Sequence, residues 1–338
     1  MDSVSIKSGP STCFKCKRLN QSTFVIVEDD KYGEHPFIYA RIFHDPPLIV
    51  LSDTGCGGNS DGPKGVPDSL RNYIETCPIA SNANLPLNPR QPGGSPLLSY
   101  LIICTHCHYD HILGIPSFED ISTTILASLH GKSFIEGDLA KHSLCFYLDV
   151  PTPKYTVSYW ANDFEHVRFD GMLLGLQILH TPGHTPDELA WYDEENRHLF
   201  VGDSFYERVA EDRSYTQPII FPKEGNIIDY MQTLEGLIHF VEQRNGELNK
   251  AAVKVGCGHI TSSVDGLEIL LSVQRYFQDV LGGKIPVVQS SEKRGETFDL
   301  WQEDGEPRFS LLSPRRLVLD ARRQLHIGPS PDVSFVMV

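Results

Sequence analysis

The chain has no apolar run long enough to cross a bilayer, which takes about 20 residues; its longest, such as Tyr100 to Cys104, fall far short. It also lacks basic charge: 29 Lys and Arg stand against 44 Asp and Glu, a formal net charge of −15 over 338 residues. That surplus repels phosphate backbones and anionic lipid headgroups, so neither nucleic acid nor a membrane is expected as a partner. Met1 to Leu19 carry no apolar segment of the kind a secretory signal requires, and a cytoplasmic protein is expected. Eight cysteines are scattered singly apart from Cys13 and Cys16. One Cys-x-x-Cys without a second pair at finger or ribbon spacing is a weak metal or redox signal, and in a reducing compartment the thiols should stay free. No period of 20 to 50 residues recurs, which excludes a solenoid or a propeller.

What is present begins with β structure. Thr23 to Glu28, Phe37 to Phe43 and Leu48 to Ser52 are short apolar or β-branched runs separated by Gly, Pro and Asp, the pattern of consecutive strands. Ser69 to Cys77 predicts a short helix, followed by a polar, proline-rich loop through Gly94. Leu97 to Cys104 predicts a buried strand, and Thr123 to Ser128, Leu173 to Leu179, Glu188 to Tyr192 and His198 to Val201 predict four more. Ile227 to Gln243 and Leu267 to Leu281 have helical spacing, and between them Ala251 to Val255 predicts a strand that ends at Gly256-Cys257-Gly258-His259. Strand, histidine and helix thus occur in both halves, which suggests two similar βα units. After Gly283 the chain turns polar. The expected division is an N-terminal segment 1–22, a main domain 23–283 and a C-terminal extension 284–338 packed on that domain.

The chemistry lies where the strand from Leu97 ends. His106 and His108 are one residue apart, which on an extended segment points both imidazoles to the same side. Asp110 and His111 follow, and a turn entering a helix would aim that pair at a second position a few ångströms away, the spacing of dinuclear hydrolases. Imidazole and carboxylate suit zinc, iron or manganese alike, with zinc the default.

Thr105-His106-Cys107-His108-Tyr109-Asp110-His111 resembles the His-x-His-x-Asp-His signature of the metallo-β-lactamase superfamily, and from about Thr23 to Leu281 later motifs follow in that family's order. The resemblance implies an α/β fold, a four-layer αβ/βα sandwich with two mixed sheets. It also implies a two-metal ligand set. His184, in Thr181-Pro-Gly-His184, would join His106 and His108 at the first metal; Asp110, His111 and His259 would hold the second; Asp203 would bridge both. Asp53, in Asp53-Thr-Gly55, resembles the family's early turn and would steady a ligand histidine. Two cations so held would lower the pKa of a shared water into the neutral range, and Asp110 would orient the resulting hydroxide.

The substrate is less constrained by sequence. Tyr206, three residues after Asp203, resembles the tyrosine by which quorum-quenching lactonases donate a hydrogen bond to the ring carbonyl; simple packing against the loop is an equal alternative. Tyr147, Tyr155, Tyr159, Trp160 and Phe164 are candidate walls for a small cyclic substrate, and equally good core residues. The organisation resembles fungal lactamase-like and lactonase-like members, which implies hydrolysis of a cyclic amide or ester, with benzoxazolinone-type detoxification as one such role. A thioesterase resembling glyoxalase II and a mononuclear iron persulfide dioxygenase are the alternatives. A small cyclic molecule is the expected partner, and homo-oligomerisation stays open.

Overall fold

Strand order follows chain order in the first sheet, because each apolar run is returned or crossed over to lie beside the one before it. The computed structural model describes residues 12–58, 69–211 and 213–327; the head of the N-terminal segment and the end of the C-terminal extension lie outside them. The described chain divides into two compact units, Met1–Leu174 and Gly175–Val338.

In the first unit, β1 (Phe14–Arg18), β2 (Thr23–Glu28), β3 (Phe37–Phe43), β4 (Leu48–Ser52), β5 (Ser99–Ile103), β6 (Thr123–Ser128) and β7 (Tyr159–Ala161) form a seven-stranded sheet. β1 to β4 pair antiparallel; β4 to β7 pair parallel. All of β4 and four of the five residues of β5 are buried, as continuous apolar runs in a parallel sheet require. Parallel neighbours need crossovers. These carry α1 (Leu70–Thr76), α2 (Tyr109–Ile112), α3 (Lys132–Gly137), α4 (Leu139–His142) and α5 (Cys145–Leu148). α1 starts where the Ser69 side chain accepts the Asn72 N–H, an N-cap, and sends Leu70, Tyr73 and Ile74 into a core with Ile38, Leu51 and Ile102. The part of segment 1–22 that is described includes β1, so it forms the sheet's edge.

The rest of the chain supplies β8 (His166–Phe169), β9 (Met172–His180), β10 (Leu189–Asp193), β11 (His198–Phe200), β12 (Ile219–Ile220), β13 (Lys254–Gly256), β14 (Val264–Asp265), β15 (Val287–Lys293), β16 (Glu296–Gln302) and β17 (Ser310–Pro314). The unit boundary falls inside β9. A six-stranded sheet runs β14-β13-β11-β10-β9-β8 and is mixed, with β11 and β13 parallel. α6 (Ile227–Asn245), α7 (Gly266–Leu281) and α8 (Arg315–Gln324) complete the second unit. α6 and α7 are capped by Asn226 and Asp265. α7 buries Ile269, Leu270, Val273, Phe277 and Val280 along one side, each such side chain worth about 1.5–3 kcal/mol in transfer from water.

Two mixed sheets are expected and present; a third, β12-β17-β16-β15, is an addition. Trp301, Phe309, Leu311, Leu317 and Val318 share one core with α6 and α7, so these residues are part of the second unit's body. No helix among the described residues is long and apolar enough to cross a membrane.

Candidate metal centre

β5 ends at Ile103, and the chain passes through Cys104 and Thr105 to His106 and His108 before α2 opens. His108 occupies the extended N-cap position of α2, and Asp110 and His111 lie within that single turn. His106, His108, Asp110 and His111 are 1%, 5%, 5% and 1% exposed. His106 Nε2 stands 2.9 Å from His108 Nδ1, the His106 and His111 ring centres are 4.1 Å apart, and His111 Nε2 is 3.5 Å from Asp110 Oδ2. Three imidazoles cannot all carry charge this close in a buried place. Neutral imidazoles with a carboxylate beside them could hold a divalent cation.

Asp53 follows β4 at φ 64°, a left-handed conformation that Asp tolerates. Its Oδ2 lies 3.0 Å from His111 Nδ1. Oδ1 accepts the Thr105 N–H and Oδ2 the Thr105 hydroxyl, both at 2.8 Å. A carboxylate on Nδ1 places the proton there and the lone pair on Nε2, the tautomer a metal ligand needs.

In the second unit the three remaining candidates sit on three loops. His184 follows β9, and its Nδ1–H donates to the Ile220 carbonyl at 2.8 Å, which again leaves Nε2 as the lone-pair nitrogen. Asp203 follows β11, its N–H held by Glu188 Oε1 at 2.9 Å. His259 follows β13, with Nε2 3.3 Å from Asp203 Oδ2. The next residue, Ile260, is buried at φ 58°, an outlier for a β-branched side chain of the kind that gathers at functional sites.

Tyr206 is packed beside His259. It is 1% exposed, its ring meets His259 edge-on at 5.3 Å, and its hydroxyl donates to the Pro218 carbonyl at 2.9 Å. That engages its one O–H, so the oxyanion-donor role read from sequence would require the hydroxyl to leave Pro218. The aromatic stretch has varied surroundings. Tyr155 and Trp160 pack on the first core, with the Lys132 ammonium over the indole. Tyr159 donates to Glu165 Oε1 at 2.8 Å, Tyr147 packs edge-on against Phe146, and Phe164 is 57% exposed.

Cys13 precedes β1 and Cys16 lies within it, and both pack against the first unit's core. Burial pushes the Cys16 thiol up to about 12 and those of Cys56 and Cys257 well above the ordinary value; such protonated thiols are poor ligands. Cys107, between two histidines, is core packing. Sequence reasoning missed Thr105, Glu188 and Glu28. A carboxylate ending an apolar strand, as Glu28 ends β2, was the only visible signal for the last.

Residues 101–245 match the family model described as the metallo-beta-lactamase superfamily. The chain is 31% identical over 331 residues to an Aspergillus versicolor protein described as "Putative transcription factor avaE", covering 94% of this chain and 91% of that one. It is 23% identical over 209 residues to a Gallus gallus protein described as acyl-coenzyme A thioesterase MBLAC2, covering 54% of this chain and 61% of that one. Among solved structures, DIM-1 metallo-β-lactamase exposed to ceftazidime matches with a TM-score of 0.51 at 15% identity, covering 80% of this chain and 99% of that one, a likeness of fold alone. The match of residues 101–245 takes in His106, His108, Asp110, His111, His184 and Asp203, and with the relative matched along almost the whole chain it makes this protein a member of the metallo-β-lactamase superfamily.

Proposed function

We propose that the protein is a metal-dependent hydrolase that cleaves a small cyclic amide or ester at its carbonyl. The observation that carries the reading is the buried group His106, His108, Asp110 and His111, in which His106 Nε2 and His108 Nδ1 are 2.9 Å apart and His111 Nε2 and Asp110 Oδ2 3.5 Å apart. By the family's pattern, His106, His108 and His184 would form one ligand set, and Asp110, His111, Asp203 and His259 the other. Bound divalent cations, zinc by default, would supply a water acidified to near neutrality and an electrophile for the carbonyl. The chain's own residues do the rest. Asp53 and the Ile220 carbonyl fix the tautomers of His111 and His184, and Asp110 would orient the attacking water and hold its proton.

The Gallus gallus relative favours a second reading, an acyl thioester as substrate. The name of the Aspergillus versicolor relative brings in DNA regulation, which a net charge of −15 disfavours. The test is a panel of lactam, lactone and acyl-thioester substrates assayed with metal-quantified protein beside His106→Ala. Two metal equivalents and turnover of a cyclic substrate that falls more than about a thousandfold in the variant are expected. Thioester turnover alone overturns the cyclic substrate, and metal-free activity overturns the metal reading.

A further inference from the structure

Glu28 has no exposed surface. Burial pushes its carboxyl up to about 8, against the pull of two N–H groups. Those N–H groups belong to the loop that leaves β4: Oε2 accepts from Cys56 and Oε1 from Gly58, both at 2.7 Å. The loop is clamped from this side and from α2. A Cβ on Gly55 would stand 2.2 Å from Glu28 Oε2, and one on Gly57 would stand 2.7 Å from the Leu113 carbonyl oxygen. On the other side, a Cβ on Gly114 would stand 2.2 Å from the Thr54 carbonyl oxygen. None of these surfaces has slack.

The far end of the same loop holds His111. Thr54 donates its N–H and its hydroxyl to the His111 carbonyl at 2.8 and 2.9 Å, and Asp53 holds the imidazole itself. The loop from Asp53 to Gly58 is therefore a short rigid plate with Glu28 at one end and His111 at the other. We propose that Glu28 is a positioning residue for the metal centre: by binding two amides at once, it sets the plate that orients the His111 imidazole. Both side-chain oxygens are needed as acceptors there, because two amide donors meet them; Gln would turn an NH2 group toward one of the amides. The inference rests on the reading that His111 holds a metal.

The experiment is a cobalt(II) titration of metal-free wild type and Glu28→Gln, followed by visible absorption and by the melting temperature before metal is added. In the variant, the equivalent held with His111 binds about 10- to 100-fold more weakly, the cost of disturbing groups that orient a ligand, and its absorption band shifts, while any other equivalent is unaffected. Wild-type uptake and spectrum in the variant overturn the inference alone. Equal weakening of all equivalents with a lower metal-free melting temperature also overturns it, since that marks general destabilisation. Uptake by neither protein overturns the metal reading and this inference with it. If Glu28→Gln does not fold, Thr54→Val cuts the same plate from His111: the same selective weakening supports the role, and unchanged binding overturns it.

Discussion

The two units hold their candidate ligands in opposite ways. The first supplies four of them from one short segment, His106 to His111, which runs from the end of a buried strand into a helix of four residues. The second supplies His184, Asp203 and His259 from three loops, each with a separate device: the Ile220 carbonyl, the Glu188 carboxylate and the Tyr206 ring beside a left-handed Ile260. Four donors on one turn share a single foundation, so one anchor governs several. Donors spread over three loops depend on the whole unit and fail one at a time.

The hardest test of that contrast is Asp53→Ala. Asp53 touches Thr105 through backbone and side chain and His111 through its ring, so its loss should loosen both ends of the turn. Metal affinity should fall about 10- to 100-fold, with turnover falling alongside it, as read by competition with a chelating dye. Affinity within a factor of two of wild type would mean that the turn holds itself, and the contrast would break.

A smaller effect is expected in the second unit from Gly183→Ala. Gly183 precedes His184 at φ 147°, and a Cβ there would stand 2.5 Å from both Cα and Cβ of Tyr230 in α6. Backbone cannot yield as a flexible side chain does, so stability should fall by about 1–3 kcal/mol, the usual cost of overpacking, measured by urea unfolding of the metal-free protein. Cobalt binding assigned to the Asp110 and His111 set should be less affected than in Asp53→Ala. Equal damage to every equivalent would show that the second unit's loops are as interdependent as the first unit's turn.

The same contrast governs what the sequence revealed. A contiguous cluster after an apolar strand can be read without relatives, because spacing on an extended segment and the entry to a helix dictate direction. His184, Asp203 and His259 lie in Gly-rich turns like many others and were legible through the family resemblance. Long periodic elements were likewise plain: α6 and α7 start within one residue of the expected positions, and β6 spans the expected residues. The third sheet was not. β15 is Val-Val-Gln-Ser-Ser-Glu-Lys, exposed nearly throughout, and offers no alternation to detect. Its one signal was Arg294-Gly295, both at positive φ between paired Lys293 and Glu296, the two-residue turn of a hairpin. Glu28 was hidden for another reason: its partners are backbone amides 28 and 30 residues away, and no side-chain pattern announces them.

Tyr206→Phe should have the mildest effect of these changes, and it separates a family resemblance from a local fact. If the hydroxyl stabilised charge on a substrate oxygen, its removal would cost turnover about 10²- to 10³-fold, as for other oxyanion donors. Bound instead to the Pro218 carbonyl, it should cost about 1 kcal/mol of stability, the net worth of one buried hydrogen bond, and less than about fivefold in kcat. The ring keeps its edge-on contact with His259 in the variant, so metal content should not change. A loss of kcat beyond about a hundredfold with full metal content and an unchanged melting temperature would mean that the tyrosine swings from Pro218 to the substrate during the reaction, and His259 would then owe its placement to Ile260 and the loop alone.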